Sequence, residues 1–239
     1  MDYREIVDQM IKLEYCDESI IQTIVWETND YGGLDEEYQK KLFDCIVEFA
    51  NQGNAELCNK LGAMYAEGKL GLEKDLAKAY EWYKKSSEQG CGLGASNLGF
   101  CYMYGLGTDV NYEEAFKAFS KAVVFGIGDA IVRLGDMYLN GCYVEKDVKT
   151  AIQLYEKAYI FSKEKLSNLA GMQVYSDVCR RLGDCCANGY FYEEDHIMAR
   201  HYYAEALYYY EIRETMNDPY SASGYAKTKD KLKELLNEL

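Results

Sequence analysis

Residues 55–90 read AELCNKLGAMYAEGKLGLEKDLAKAYEWYKKSSEQG. Leu57, Leu61, Met64 and Tyr65 fall on one face of a helix, and Gly68 follows where a left-handed residue would end it. After a short polar loop, Leu76, Ala79, Tyr80 and Tyr83 repeat the helical stripe, with Trp82 beside it and Gly90 at its end. Two such helices joined by so short a loop predict an antiparallel hairpin.

The hairpin recurs. Leu61-Gly62 returns as Leu98-Gly99, Leu134-Gly135 and Leu182-Gly183, at intervals of 37, 36 and 48 residues. Ala79 returns as Ala115, Ala151 and Ala199, at intervals of 36, 36 and 48. Two anchors that keep step define a structural repeat, and the last interval is one period plus twelve residues. A glycine inside a helix costs about 1 kcal/mol relative to alanine. Gly62, Gly99, Gly135 and Gly183 therefore predict close helix contact, with the rings of Tyr83, Phe119, Tyr155 and Tyr203 filling the space they leave. One hairpin cannot bury both of its faces, whereas stacked hairpins can, at about 1.5–3 kcal/mol for each large side chain covered.

The pattern LG-x-x-Y, glycine, short loop, acidic residue, K-A-x-x-W-Y and QG resembles the Sel1-like repeat, a relative of the tetratricopeptide repeat. In the first unit Leu61, Gly62, Met64, Tyr65, Gly68, Asp75, Lys78, Ala79, Trp82, Tyr83 and Gly90 carry the match. The resemblance runs from Ala55 to Phe161, resumes from Asp177 to Tyr210 and fades before Asn54. It implies an all-α, right-handed superhelical solenoid of hairpins with capping helices at both ends. The family's usual loop proline is missing, since Pro219 is the chain's one proline.

On this reading residues 1–53 hold a capping helix and a degenerate repeat, with helices at 2–14, 17–28 and from Leu34 to Asn51. Four repeats follow at 54–90, 91–126, 127–162 with an insertion at 163–174, and 175–218. A capping helix closes the chain at 219–239, and the whole is expected to be one continuous domain. The stop glycine of the first two second helices, Gly90 and Gly126, is replaced by Ser162 in the third and Tyr210 in the fourth. The third second helix should then run on, with the insertion forming its end and a loop around Gly171. The fourth should pass Glu214 before Asn217, Asp218 and Pro219 end it. In the last helix Leu232, Leu235, Leu236 and Leu239 share one face, leaving Lys227, Lys229, Lys231 and Lys233 towards water.

Forty acidic against 26 basic residues give a net charge of −14. No segment is basic enough to track phosphates, which excludes nucleic acid as a partner. No apolar run approaches the roughly 20 residues of a membrane span, and the start lacks a secretory pattern. A soluble, cytoplasmic protein is expected. A cysteine-rich branch of the resembled family bridges each hairpin, but here Cys101, Cys185 and Cys186 occupy slots that hold methionine and tyrosine in other repeats. They read as packing residues, and the nine cysteines as free thiols in a reducing compartment.

Little in the chain suggests catalysis. His196 and His201 lie five apart, off any shared helix face, and Gly105–Gly107 coincides with the helix stop of the other units. Ser162 and Lys165 spell S-x-x-K without its companion motifs. No catalytic residue, metal or cofactor is expected.

By analogy with tetratricopeptide arrays, fixed offsets from the Leu-Gly pair face the concave groove. They give Asn59 in the first repeat and Asn97, Phe100, Met103 and Tyr104 in the second. The third contributes Arg133, Asp136 and Asn140, and the fourth Arg181, Asp184 and Asn188. Amides can bind an extended backbone and arginine forks match carboxylates. The expected function is a non-enzymatic adaptor for a protein or peptide, with a segment bearing carboxylates as the preferred ligand. An inhibitor of one basic protein is the first alternative, and an enzyme of the penicillin-binding sort a distant one.

Overall fold

A computed structural model describes residues 35–190 and 195–237, together with Glu5 and Asp8. The helices expected at 2–14 and 17–28 lie outside the described residues. Among those described there are ten helices and no strand. The chain divides into two compact units, residues 1–127 and 128–239.

In the first unit α1 (Glu36–Asn51) precedes two hairpins, α2 (Ala55–Glu67) with α3 (Leu76–Glu88), and α4 (Gly92–Tyr104) with α5 (Tyr112–Val124). Leu42, Ile46 and Phe49 of α1 are buried against Leu57, Leu61 and Met64 of α2, and Trp82 of α3 packs on this cluster. Ala79 and Tyr83 of α3 join Leu98 and Cys101 of α4 and Ala118 of α5 in a second cluster.

The second unit repeats the plan with α6 (Gly128–Asn140) and α7 (Val148–Lys163), then α8 (Leu169–Ala187) and α9 (His196–Thr215), and ends with α10 (Ser221–Asn237). Tyr175 and Cys179 of α8 are buried with Ala206 and Tyr210 of α9. Cys186, Ala199 and Tyr203 meet Leu235 of α10.

The hairpins owe their shape to two devices. The residue before each second helix, Asp75, Asn111, Asp147 and Asp195, accepts a backbone N–H three residues on at 2.9–3.1 Å. The acidic mark of the repeat is thus a helix N-cap. The second device is the glycine of each Leu-Gly pair. A Cβ at Gly62, Gly135 or Gly183 would stand 2.5 Å from the ring of Tyr83, Tyr155 or Tyr203, and one at Gly99 would stand 2.6 Å from Phe119. Hydrogen in place of a methyl group lets each aromatic ring lie on the backbone of the facing helix.

The insertion differs from expectation. Compared with α5 and α6, three of its twelve residues lengthen α7, two lengthen the connection and seven extend the start of α8. Gly171 belongs to the first turn of α8, where Asn168 accepts its N–H at 2.8 Å, and it lies so close to the Lys165 backbone that a Cβ would collide. The glycine marks a tight entry into a helix, which a reading of glycine as a breaker misses.

The fourth second helix does run past Glu214, to Thr215, with Asn217 at φ 58 beyond it. In α10 Leu235 is buried and Leu236 is 52% exposed, so the leucines do not share one buried face. Lys231, expected towards water, reaches a carboxylate of α8 while its side chain stays partly exposed. Of the tyrosine run in α9, Tyr203 and Tyr210 are buried and Tyr208 is exposed.

Candidate protein-binding face

The first helices of neighbouring repeats touch within each unit, and the residues at the predicted offsets meet there. In the first unit the Asn97 amide donates to Asn59 Oδ1 at 2.8 Å, bridging α4 to α2. Phe100 meets Phe119 edge-on at 5.4 Å and stacks against Tyr104 at 6.1 Å. Met103 is half-buried beside them and Tyr104 is 55% exposed. Lys60, one residue before the leucine, is buried. Burial, with help from nearby Lys69 and against the pull of Glu67, draws its amine down to about 8.

The second unit is built differently. Asp136 of α6 accepts the Tyr155 hydroxyl at 2.8 Å and both arms of the Arg181 guanidinium, Nε at 2.6 Å and Nη2 at 2.7 Å. Arg133 reaches the same carboxylate and Asp129, each at 3.2 Å. One repeat later Asp184 accepts the Tyr203 hydroxyl at 2.8 Å, Arg180 at 3.2 Å and Lys231 of α10 at 2.5 Å. Asp177 accepts Tyr210, and Arg213 joins Asp218 at 2.7 Å. Burial opposes ionisation of Asp136, but Arg181, then Arg133 and the Tyr155 hydroxyl, outweigh it and hold the carboxyl below its ordinary range. Asn140 and Asn188 turn an amide back onto the carbonyls of Asp136 and Asp184, at 2.8 and 2.6 Å.

Arg133, Arg180, Arg181, Arg213 and Lys231 are thereby matched by Asp129, Asp136, Asp177, Asp184 and Asp218, five cations to five anions. The forks read in the sequence as ligands for a partner's carboxylate are engaged by carboxylates of this chain, and Arg181 is only 8% exposed. One signal for this lay in the sequence. Aspartate follows Leu-Gly only in the third and fourth repeats, opposite Tyr155 and Tyr203, whereas Ala63 follows it opposite Tyr83 and Phe100 opposite Phe119.

Ser162 is buried and donates to the Ala158 carbonyl of its own helix at 2.7 Å, while Lys165 lies over the Phe161 ring. The S-x-x-K pair is thus parted, with its hydroxyl committed to the backbone. The eight described cysteines are unpaired thiols. No described helix is long and apolar enough to cross a membrane.

The architecture is that of an α-helical hairpin repeat protein. The profile of the Sel1 repeat matches residues 55–91, 93–123, 128–159 and 176–208, more than half of the sequence, and the chain belongs to the Sel1 repeat family. Members of this family generally serve as protein-interaction scaffolds. An uncharacterised Sel1-like repeat-containing protein of Schizosaccharomyces pombe is 36% identical over 73 residues, 30% of this chain and 11% of that protein. The ERAD-associated E3 ubiquitin-protein ligase component HRD3B of Arabidopsis thaliana is 35% identical over 79 residues, 33% of this chain and 11% of its own length. The matches thus span about a tenth of these relatives.

Among solved structures, a Sel1 repeat protein from Oxalobacter formigenes superposes with a TM-score of 0.67 at 20% identity, over 94% of this chain and 91% of that one. The protein c5321, a protective antigen of uropathogenic Escherichia coli strains with an SLR fold, gives 0.66 at 20% identity over 100% of this chain and 52% of its own.

Proposed function

We propose that this protein is a non-enzymatic adaptor that binds a protein or peptide on the faces formed by its first helices, in the cytoplasm and without a cofactor. The observation that carries the reading is the accessible set on α2 and α4. Tyr104 stands out from its stack on Phe100, and the half-buried Met103 and Asn59–Asn97 amide pair belong to the same two helices. An aromatic ring gives contact area at small entropic cost, a thioether adapts its shape to what it meets, and the amides offer donors and acceptors to a backbone. Asn140 and Asn188, both exposed, extend the same chemistry in the second unit. The free thiols accord with a reducing compartment.

The test places a photo-crosslinking amino acid at Tyr104 or Asn140, and at the exposed Lys117 or Glu156 of second helices. A native partner should be trapped from the first pair of positions. Equal trapping from both pairs, or trapping from the second alone, rejects the face.

Charge favours a second reading, an inhibitor of one basic protein. The inner lattice of the second unit is neutral, and residues 1–51 carry 13 acidic against four basic side chains. Acidity of that kind speeds encounter with a basic target. A single partner bound with steep salt dependence would select the inhibitor; several weak ligands select the adaptor.

A further inference from the structure

The turns between first and second helices are pinned at both ends by the same backbone bonds, which aligns the residues next to those bonds. The residue after the turn's leading glycine donates to the first helix: Lys69 to Met64, Leu106 to Cys101, Cys142 to Met137 and Tyr190 to Cys185. The N-cap of the second helix donates back as well: Asp75 to Tyr65, Asn111 to Tyr102, Asp147 to Tyr138 and Asp195 to Cys186.

Fixed this way, the second repeat differs from the first and third at three positions. Its Tyr104 takes the place of Glu67, Asn140 and Asn188. Leu106 takes that of Lys69. Just before the N-cap, the first and third repeats carry an acidic residue followed by lysine, Glu73-Lys74 and Glu145-Lys146, all exposed. The second repeat keeps the acid, Asp109, and replaces the lysine with Val110.

Tyr104, Leu106 and Val110 are 55%, 37% and 52% exposed. They share one short turn with the exposed carboxylate of Asp109, which has Val110 beside it in sequence where the first and third repeats have a lysine. The turn is also firmly seated. Gly107 lies on the Leu76 backbone with no room for a Cβ, and a Cβ at Gly105 would meet a Val110 methyl at 3.2 Å. A preformed edge loses little freedom on binding.

We propose that residues 104–112 form a docking edge for a partner segment that carries an apolar side chain beside a lysine or arginine. The apolar group covers Leu106 and Val110, and the cation stands by Asp109 where Lys74 and Lys146 stand in the neighbouring turns. Exposed apolar area around a lone charge favours the partner of opposite sign. This inference rests on the protein-binding reading and names the chemistry of its ligand, a basic and apolar segment rather than an acidic one.

The test pans a displayed library of random short peptides against the full chain. Selected peptides should combine leucine or an aromatic residue with lysine or arginine. Their affinity should fall by about tenfold or more in the double variant Leu106→Lys/Val110→Lys, which copies residues that other turns accommodate; its unchanged melting temperature verifies folding. Asp109→Asn should abolish the preference for basic over neutral peptides. Selection of acidic peptides, indifference to the double variant, or no selected sequence overturns the proposal. Peptides that ignore the double variant but are lost on Asn97→Ala with Met103→Ala would refute the edge and leave the first-helix face standing.

Discussion

Gly135 and Asp136 are neighbours that answer to one ring: the glycine makes room for Tyr155 and the aspartate takes its hydroxyl. Gly135→Ala gains helix propensity of about 1 kcal/mol, yet its methyl must displace a fully buried ring, at about 1–3 kcal/mol. The variant should be less stable in urea titration, and a gain would refute close packing at this position. Arg181→Ala removes the bidentate partner of a carboxylate that Arg133 and the Tyr155 hydroxyl still reach, and should cost about 1.5–3 kcal/mol. Adding Asp136→Asn should recover part of that loss, because it removes a carboxylate that has lost its strongest cation; full additivity in the double-mutant cycle would count against the pair. The glycine half of this arrangement is legible from the sequence, since an unfavoured residue recurring in one register demands a facing ring. The aspartate half is not legible from offsets alone. An offset says which side of a helix a residue takes, not whether the next helix brings an arginine to meet it.

At the scale of elements, caps and connections decide where each hairpin begins. Three of the four first-helix starts with a resolved cap use an oxygen, at Asp35, Asn54 or Asn168, counting α1 with them, whereas α4 begins on the Cys91 sulfur, 3.4 Å from the Gly94 N–H. Thiols are poor acceptors, so Cys91→Ser should raise stability by about 0.5–1 kcal/mol. Chemical denaturation measures this directly, and a loss would show that the sulfur is held for its packing. The lengthened third hairpin is legible through its missing stop glycine, but the division of the extra residues is not. Most of them extend α8, because Asn168 supplies a cap early enough to start that helix seven residues sooner. The terminal helix shows a further regularity. Lys231 bonds Asp184 as Arg181 bonds Asp136, and Lys231-Leu232 and Glu234-Leu235 parallel Arg181-Leu182 and Asp184-Cys185. α10 therefore sits as a first helix would, with Lys233 in the slot that glycine holds elsewhere.

For the molecule as a whole, ionisation sets the limits of stability. Burial raises the thiols of Cys101 and Cys186 to about 11 and that of Cys185 to about 12, from an ordinary 9.0. The buried phenols of Tyr155, Tyr203 and Tyr210 move the same way, from 10.0. Groups raised on folding contribute fully below their unfolded values, and the contribution fades as pH climbs through the folded ones. Lys60, lowered on folding, acts in the opposite sense above pH 8 and is outnumbered. The melting temperature should therefore fall steadily from about pH 9 upward, and a flat profile to pH 11 would contradict the burial of these groups. On the acid side Asp136 and Asp218 are depressed below 3.8, so their contribution persists above that value and is lost as pH drops through the folded ones. Between the two flanks, solubility should be poorest near the isoelectric point of about 4.7, which light scattering across pH will show.

The bond from Arg181 back to Asp136 also bears on how such a chain can be rebuilt. Hairpins that share a sequence signature look like modules to be shuffled, yet this bond acts as an address written across a junction. Excising residues 128–163 would remove Asp136 and with it the bidentate partner of the buried Arg181 guanidinium. Splicing and recombination in this half of the molecule must therefore carry donor and acceptor together, or leave a buried cation short of its partner.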